Sequence, residues 1–463
     1  MSDVQRKPAI PAVTDEQTAG QYMDSVPISK FHRKVFWLIA LGALFDAFDI
    51  YIGSSVGADL VKEHITDAGG LSYFLSAIAF GMMIGAGVAG YAGDRFGRRT
   101  LYQYNLLLFG VTSLLAAVAP NYGVLIALRF AMGLGLGAEI VLGYAMFAEF
   151  IPASLRGRWI GWMAMLANGG LFVAALLSFA LIPSFGWRSM FIAAGVPTLV
   201  LWWFRRSLPE SPRWLITRGR TLEAAQVLQE IDQQTEGSPD TAPMPVPATA
   251  PADSGRFVDL IRGPLLSRSL VSIFLFVVIN LGVYGFVSWL PTILVQQGIS
   301  IFKSLGISLL ISAGAIVGPV IAALIADRVS TRKAIAGLAI LISAAGAIYA
   351  NVHTNTAVVL AGFVFTTVLY CFVVMGQAVY IPVLFPSSLR IRGTGLASVA
   401  GRMASVLVPY IVAATLPLYG FGGVVSGIAI LFVITAAVVM VWGIDVQGKS
   451  LEELGAKGVR PKL

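Results

Sequence analysis

Two carboxylates lie in the middle of the first apolar stretch of the chain. The segment LGALFDAFDIYIGSSVGA, residues 41–58, contains Asp46 and Asp49, and its apolar run extends back to Val35. This is about the length that crosses the hydrocarbon core of a bilayer, so both acids are expected near its midplane. An ionised side chain there costs roughly 2.5 to 3.5 kcal/mol on insertion scales, and such residues usually serve ions, protons or substrate. The pattern predicts a carrier.

The two acids are three residues apart and therefore share one helix face, with about 5 to 6 Å between their Cβ atoms. Two crowded like charges favour the neutral form of at least one group, so a proton is the natural ligand of Asp46 and Asp49. The alternative is that both acids brace the helix bundle through salt bridges, because structural ion pairs also occur in membranes.

The composition defines the class of protein. The chain has 463 residues, 57% of them hydrophobic and 12% charged, with a mean hydropathy of +0.80. Soluble globular proteins are far less apolar, so an integral membrane protein is predicted. The net charge of +8 comes from short basic clusters between apolar spans, which favours a role in membrane topology over nucleic-acid binding. With Cys371 as the single cysteine, no disulfide framework and no metal site is predicted; protons are the expected coupling ion, with no other cofactor.

Twelve apolar windows of about 20 residues are each long enough to cross the hydrocarbon core as a helix. We number them span 1 to span 12, at residues 35–58, 71–92, 101–119, 123–147, 159–182, 189–204, 270–295, 305–326, 334–351, 356–381, 393–417 and 420–443. The predicted fold is an all-α integral membrane protein with two pseudo-symmetric six-helix bundles, over 35–204 and 270–443. Tails are expected at 1–34 and 444–463. A linker is expected at 205–269, with a disordered middle rich in Pro, Ser, Thr and Ala.

The distribution of Lys and Arg predicts the orientation. With both termini in the cytoplasm, all but five of the 32 basic residues lie on the cytoplasmic side. Three of the five lie outside (Lys62, Arg188 and Lys303), and two, Arg129 and Arg402, lie within spans. These arginines join the span 1 acids as the costliest residues in the membrane. We expect a multi-pass protein of the plasma (inner) membrane.

Two motifs of the first half recur in the second. GDRFGRR (93–99) after span 2 returns as ADRVSTR (326–332) after span 8, and PASLRGRWIG (152–161) after span 4 returns as PSSLRIRGTG (386–395) after span 10. The displacements are 233 and 234 residues. Two matches at nearly one displacement indicate parallel six-helix repeats.

Four motifs carry a resemblance to a known family. They are GDRFGRR, the arginine-then-glycines start of span 4 at Arg129, PESPRWL (209–215) and GKSLEEL (448–454). Together they are similar to the major facilitator superfamily, in the branch of sugar porters and related metabolite:proton symporters. In span 7, VVINLGVYGFVSWLP (277–291) lacks the QQxxGxN pattern of sugar porters. DAFD of span 1 and AGRMASVLVP (400–409) of span 11 resemble aromatic-acid, nicotinate and other organic-anion symporters.

The resemblance implies roles for the membrane charges. In organic-anion symporters the arginine of the span 11 motif, Arg402 here, contacts the substrate. In proton-coupled sugar porters the acid at the position of Asp49 pairs with the arginine at the position of Arg129, and protonation releases the pair. Asp46 and Glu139 are further proton-site candidates, and Glu139 is equally a candidate structural partner for Arg402.

Arg402 is also the substrate residue that chemistry favours. It lies nine residues into span 11, about 13 Å of rise from the start of that span, and hence near the midplane. A guanidinium is a rigid fork of donors that suits a carboxylate. The alternative is a permanent ion pair with Glu139 or Asp46, because a buried charge must find a partner.

The repeat displacement of 234 residues relates Arg402 to Asn168 and Asp46 to Asn280. If the pseudo-twofold axis holds, these four residues converge on one central cavity. Each asparagine is equally suited to bond one helix to another. Side chains that are expected either to line this cavity or simply to pack are Tyr284, Trp289, Gln377, Tyr144 and Tyr380.

The basic motifs between spans predict a cytoplasmic gate. Asp94 is expected against the N-terminal end of span 11, where free helix N–H groups favour an anion. The predicted gate residues are Asp94, Arg95, Arg98, Arg156, Glu149 and Asp327.

These observations predict a monomeric, proton-coupled importer of a small organic anion, with an aromatic or heteroaromatic carboxylate as the expected substrate. No nucleophile elbow, phosphate loop or metal-ligand spacing is present in the sequence, so no enzyme is predicted. A symporter of neutral sugars or polyols and a membrane sensor built on a transporter fold are the alternatives. The expected partners are the substrate, protons and the lipid bilayer, with no nucleic acid.

Overall fold

The computed structural model describes residues 22–23, 26–234, 257–326, 328–352, 354–385 and 389–444. The residues in these ranges form helices and connecting turns, and none of them is in a β-strand. Nine helices of this part of the chain are long and apolar enough to cross a membrane. The last of the nine, Arg392–Trp442, has 51 residues and includes both span 11 and span 12. With the helices Arg98–Ala117 at span 3 and Arg188–Arg205 at span 6, the architecture agrees with the twelve predicted crossings.

The helices of the N-terminal half begin and end close to the predicted spans. They are Lys30–Lys62, Ala68–Phe96, Arg98–Ala117, Tyr122–Phe150, Ala153–Phe185 and Arg188–Arg205. Span 1 begins five residues before its apolar run, at Lys30. Asp67 and Asn121 begin spans 2 and 4 by accepting hydrogen bonds from the N–H groups of Gly70 (2.6 Å) and Val124 (2.9 Å), because the first N–H groups of a helix have no partner within it.

The C-terminal half is less regular. Its helical segments are Gly263–Gly282, Val283–Val287 and Leu290–Gln296 in span 7, Ile301–Ser312 and Gly314–Ile325 in span 8, Thr331–Ala350 in span 9, Asn355–Val374, Met375–Tyr380 and Ile381–Leu384 in span 10, and Arg390–Trp442 in spans 11 and 12. The segments Val283–Val287 and Met375–Tyr380 are π-helical turns, which rotate the side chains that follow them. Spans 11 and 12 are separated at Gly420, whose φ of 62° suits glycine.

Span 6 extends through Arg205, which the sequence assigns to the linker. The helix buries this arginine completely. Beyond it, the linker forms the short helices Pro212–Thr217 and Thr221–Gln233. Residues 235–256, which cover most of the segment predicted to be disordered, and residues 445–463, with the GKSLEEL motif, lie outside the described residues.

Spans 2 and 4 pack backbone to backbone. Gly81 and Gly85 face Gly133 and Gly137, and a methyl group on any of the four would overlap main-chain atoms of the other helix. Small residues spaced four apart let membrane helices approach closely enough for extensive van der Waals contact. The pairing fixes the depth of Arg129, which lies one turn before Gly133.

The two halves meet over one part of their length. We call the end of the bundle where span 1 begins the proximal end, and the end at the turn between spans 1 and 2 (63–67) the distal end. Ser54 donates a hydrogen bond to the carbonyl of Val287 (3.1 Å), and Ser76 donates one to the carbonyl of Val406 (2.7 Å). These contacts join span 1 to span 7 and span 2 to span 11 in the distal half of the bundle. The central cavity lies on their proximal side.

Candidate substrate cavity and buried ion pairs

A cavity of about 280 Å³ lies between the two halves, near the middle of the spans. Spans 1, 2, 4, 5, 7, 10 and 11 contribute to its walls. The polar residues that line it are Asn168, Asn280, Gln377, Ser398, Arg402 and Ser405, and the aromatic residues are Tyr51, Phe276, Tyr284 and Tyr370. An apolar and aromatic cavity with a few convergent polar groups is the usual form of a small-molecule site.

Arg402 is the one cation among the described residues that line the cavity. Within the described part of the chain, no acidic side chain lies within salt-bridge distance of its guanidinium. The alternative of a permanent pair is therefore wrong: Glu139 pairs with Arg205, and neither carboxylate oxygen of Asp46 has a hydrogen-bond partner. Tyr284 lies within electrostatic range of Arg402. The guanidinium is free to bind an anion in the cavity.

The structure brings both asparagines to the cavity. The amide groups of Asn168 and Asn280 donate to the carbonyls one turn earlier, at Ala164 (2.9 Å) and Phe276 (2.7 Å). Each bond stays within one helix, so the asparagines do not bond one span to another through these donors. Their amide oxygens remain available as acceptors. Asn168, Asn280 and Arg402 thus line one cavity, as the repeat displacement predicts, whereas Asp46, the fourth residue expected there, is not among its lining residues.

The aromatic wall is partly different from the prediction. Tyr284 and Gln377 line the cavity as expected, and so do two tyrosines that sequence reasoning missed, Tyr51 and Tyr370. The Tyr370 hydroxyl donates to the Tyr51 hydroxyl across the two halves (2.9 Å). The pair therefore lies at once in the wall of the cavity and in the interface between spans 1 and 10.

Two predicted wall residues lie elsewhere. Trp289 and Tyr380 are fully buried (0% exposed) and do not line the cavity. The Tyr380 hydroxyl instead accepts a hydrogen bond from the N–H of Ile444 (2.8 Å). The π turns explain the difference. Tyr370 and Gln377 share one face of span 10, but the π turn at residues 375–380 rotates Tyr380 off that face. Trp289 likewise follows the π turn of span 7.

Asp49 and Arg129 form a fully buried ion pair. Nη1 of Arg129 lies 3.1 Å from Oδ2 of Asp49 and 3.2 Å from the carbonyl oxygen of the same residue, and both side chains are 0% exposed. The guanidinium carbon lies 4.9 Å from the ring centroid of Phe74. Gly53 makes room for it, since a Cβ there would lie 2.6 Å from Nη2 of the arginine. The contact is the one that the resemblance implies.

A second buried ion pair joins Glu139 of span 4 to Arg205 of span 6. Nε of Arg205 donates to the carbonyl of Leu38 (2.8 Å), and the guanidinium carbon lies 4.1 Å from the ring centroid of Tyr102. A methyl group at Gly42 would overlap Nη2 of the arginine. Sequence reasoning missed Arg205 because it ends an apolar run, where a long basic side chain often reaches back to the interface.

Asp46 lies beside this pair and forms no ion pair with any residue that the structure describes. Its carboxylate is buried, and neither oxygen accepts a hydrogen bond. It is within electrostatic range of Glu139, Arg205 and Asp49. Tyr144, which was expected in the cavity wall, does not line the cavity and lies within electrostatic range of Asp46 instead. Two carboxylates therefore share one arginine inside the N-terminal half.

The predicted gate is described in part. Arg98, at the start of span 3, pairs with Glu149, at the end of span 4. Arg95 is exposed, and its guanidinium carbon lies 5.5 Å from the ring centroid of Phe96. The predicted contact of Asp94 with span 11 and the roles of Arg156 and Asp327 fall on side chains outside the described part of the chain.

Glu210 of the PESPRWL motif caps span 3. Both of its carboxylate oxygens lie 3.1 Å from the N–H nitrogen of Arg99, and one accepts from the N–H group of Ser211 (3.0 Å). A carboxylate at a helix N-terminus is stabilised by the unpaired N–H groups there. Burial nevertheless raises the pKa of Glu210, although the two N–H donors act in the opposite direction.

Residues 39–409 match the family described as Major Facilitator Superfamily. The chain belongs to this superfamily. Over 94% of its length it is 36% identical to the inner membrane metabolite transport protein YdjE of Escherichia coli (strain K12), covering 98% of that protein. The protein is thus a membrane transporter of small molecules and not an enzyme, as predicted.

Two further relatives of this superfamily member have names that state a substrate. The niacin transporter NiaP of Acinetobacter baylyi is 32% identical, with 94% of this chain and 98% of NiaP covered. The 4-hydroxybenzoate transporter PcaK of the same organism is 29% identical, with 83% and 85% covered. A crystal structure of a D-xylose-proton symporter superposes with a TM-score of 0.71 at 19% identity, covering 91% of this chain and all of the symporter, which supports the fold.

Proposed function

We propose that this transporter carries a small aromatic or heteroaromatic carboxylate, with the carboxylate group bound by Arg402. The observation that carries the proposal is a guanidinium that has no acidic partner among the described residues and lies in a central cavity with aromatic walls. Such a fork binds a carboxylate through two parallel N–H···O bonds. The rings of Tyr51, Tyr284 and Tyr370 offer faces and edges to an aromatic substrate. A neutral substrate would leave the guanidinium without a contacting anion in the closed site.

The relatives support the same class of substrate. Niacin and 4-hydroxybenzoate, after which NiaP and PcaK are named, are both carboxylic acids on a six-membered aromatic ring. A cavity of about 280 Å³ has room for one such ring and a few water molecules. The sensor alternative has no observation in its favour, and the sugar alternative rests on motifs that the fold alone accounts for.

Proton coupling is proposed from the balance of buried charges. Asp46, Asp49 and Glu139 are matched in number by three arginines, at 129, 205 and 402. The empty site is therefore neutral when all six are ionised. A bound monoanion would leave one negative charge in excess, which is costly in a medium of low dielectric constant. One proton taken up with each substrate anion restores neutrality.

The proposed first acceptor of that proton is Asp46. Asp49 pairs with Arg129 and Glu139 pairs with Arg205, whereas no cation of the described part of the chain pairs with Asp46. Protonation of Asp46 leaves both ion pairs intact and therefore costs least. Asp49 is the second candidate, since its protonation would release Arg129 and loosen span 1 from span 4.

The proposed orientation places the proximal end in the cytoplasm of the source cell, with the protein in its plasma membrane. The reason is the excess of Lys and Arg between the spans on the proximal side. Alternating access then follows from rocking of the two halves about the central cavity.

The decisive experiment measures uptake into proteoliposomes with an alkaline interior, using labelled nicotinate and 4-hydroxybenzoate. We expect saturable accumulation that competing acids inhibit and that nicotinamide, 4-hydroxybenzamide and xylose do not. The Arg402→Gln variant should lose both binding and uptake. Inhibition by xylose or by the amides would replace the proposal with a carrier of neutral solutes, and binding without any uptake would favour the sensor.

The coupling step is tested separately in the same vesicles. Asp46→Asn should abolish accumulation on a proton gradient while counterflow exchange of labelled for unlabelled substrate survives, because the variant is fixed in the neutral form. The matched Asp49→Asn variant should instead lose folding stability, since it leaves Arg129 buried without an anion. Gradient-driven accumulation by the Asp46→Asn protein would exclude Asp46 as the coupling residue.

A further inference from the structure

A second large cavity lies on the outer side of the N-terminal half, between the proximal ends of spans 1 and 5. Its volume is about 620 Å³. The residues that line this groove are Ile28, Arg33, Phe36, Trp37, Leu155, Arg158, Trp159, Trp162, Met165 and Leu166. It is separate from the central cavity, with which it shares no lining residue. No step of the proposed transport cycle uses it.

The groove has an apolar floor and an aromatic rim. Phe36 is buried and meets the ring of Trp159 edge to face, with the centroids 5.1 Å apart. Trp37 is 52% exposed and Trp162 is 48% exposed, although both belong to membrane spans. Tryptophan is enriched where acyl chains meet headgroups, because its ring is apolar and its N–H is polar. The three tryptophans therefore indicate the depth of the headgroup boundary.

Two arginines mark the same boundary. Arg33 comes from the first turn of span 1 and Arg158 from the second turn of span 5, so each helix contributes one cation to the groove. Both are exposed, and neither forms an ion pair with any described residue. No acidic residue is among the described residues that line the groove. The groove thus combines an apolar slot with two uncompensated positive charges.

We propose that this groove binds an anionic glycerophospholipid, with its phosphate between Arg33 and Arg158 and an acyl chain along Phe36 and Trp159. Charge complementarity selects the ligand. The apolar slot suits any acyl chain, but the two guanidinium groups without counter-ions favour a headgroup with net negative charge over a zwitterionic one. Each basic residue near a lipid surface contributes binding free energy toward anionic lipid, and the two arginines together should give a preference of about 30-fold for the anionic lipid over the zwitterionic one.

The test uses the tryptophans as reporters. The full-length protein is placed in phosphatidylcholine nanodiscs that contain a small fraction of lipid with brominated acyl chains, which quench nearby tryptophan fluorescence. We expect brominated phosphatidylglycerol to quench saturably at a mole fraction at which brominated phosphatidylcholine has little effect. The excess quenching should be absent in Arg33→Gln/Arg158→Gln. It should remain in Arg33→Lys/Arg158→Lys, which keeps both charges.

The matched control is Arg328→Gln/Lys333→Gln, which removes two exposed basic residues at the same end of the C-terminal half. This variant has the same net charge as the Arg33/Arg158 double glutamine variant and should retain the excess quenching. Equal quenching by the two lipids in the wild-type protein would overturn the proposal, because the groove would then have no preference for the anionic headgroup. Loss of the excess in the control would equally overturn it, since the preference would then reflect overall charge.

Discussion

The shared arginine allows a quantitative test of the buried charges. Arg205 is completely buried, with Glu139 as its ion partner and Asp46 in electrostatic range without a hydrogen bond. Removal of one partner from a buried ion pair costs about 3 to 5 kcal/mol when the remaining charge has no substitute. In the Glu139→Gln variant, the Asp46 carboxylate remains near Arg205 as a substitute for the lost negative charge. In the Asp46→Asn/Glu139→Gln double variant, neither carboxylate remains.

We therefore expect three different losses in the free energy of unfolding. Asp46→Asn should change it by less than about 1 kcal/mol, because no hydrogen bond is lost. Glu139→Gln should lower the free energy of unfolding by less than the double variant does. The double variant should lower it by about 3 to 5 kcal/mol. This loss should exceed the sum of the two single losses by a coupling energy of about 0.5 to 3 kcal/mol. Because total stabilities are about 5 to 15 kcal/mol, the double loss is easily measured.

The assay is unfolding of the purified protein in detergent, followed by intrinsic fluorescence and by gel filtration. The single variants must elute as the wild-type protein does for the comparison to hold. If Asp46→Asn loses as much as Glu139→Gln, then Asp46 has a stabilising partner of its own. If the double variant loses no more free energy of unfolding than the sum of the two single losses, then Asp46 does not compensate the charge of Arg205, and the inference that two carboxylates share this arginine is refuted.

Three other changes test separate parts of the structure. Arg402→Lys removes the second of two charge-assisted hydrogen bonds to the carboxylate, which is worth about 1.5 to 3 kcal/mol. The affinity for the carboxylate, measured by calorimetry, should therefore fall about 10- to 150-fold. Near-normal affinity would contradict bidentate binding. Gly42→Ala should lower the melting temperature, since its methyl group displaces Arg205, whereas Gly161→Ala, with open space around it, should be neutral. Burial raises the pKa of Glu210, so its contribution to stability is present below the ordinary value of 4.5 and is lost as the pH rises through the raised pKa. The melting temperature of the wild-type protein relative to Glu210→Gln should fall from acid to neutral pH, and a parallel pH dependence would show that Glu210 is not responsible.

Hydropathy and charge were enough to predict the fold, because each span must satisfy its own backbone hydrogen bonds in the membrane. The departures occur where local chemistry competes with that pattern. Span 6 continues to Arg205 because Glu139 and the ring of Tyr102 compensate its charge inside the bundle. The π turns of spans 7 and 10 leave no mark in hydropathy, because the residues around them are as apolar as the rest of the span.

The site could be predicted at the charged residues, because a charge buried within a membrane span needs a partner of opposite charge. Asp49 and Arg129 meet as the resemblance implies, and the repeat displacement brings Arg402 and the two asparagines to one cavity. The aromatic wall was less predictable, because an aromatic ring in an apolar span packs equally well on any face. One signal for Arg205 was present in the sequence: Gly42 lies one turn before Asp46 on the acid-bearing face of span 1, where a small residue leaves space for a large side chain.

The π turns of spans 7 and 10 have a consequence for how such a chain diversifies. Both turns adjoin the central cavity, and both lie in the C-terminal half, whereas spans 1 and 4, which hold the buried acids, are continuous α-helices. Deleting one residue from a π turn restores the α-helix and rotates everything beyond it by about 100°. A one-codon deletion or insertion within 283–287 or 375–380 would therefore change in one step the side chains that these turns present to the cavity, which are Val283, Tyr284 and Gln377. The acids and their arginines on spans 1, 4 and 6 would keep their register, so a changed cavity lining need not disturb the buried charges that we propose for proton coupling.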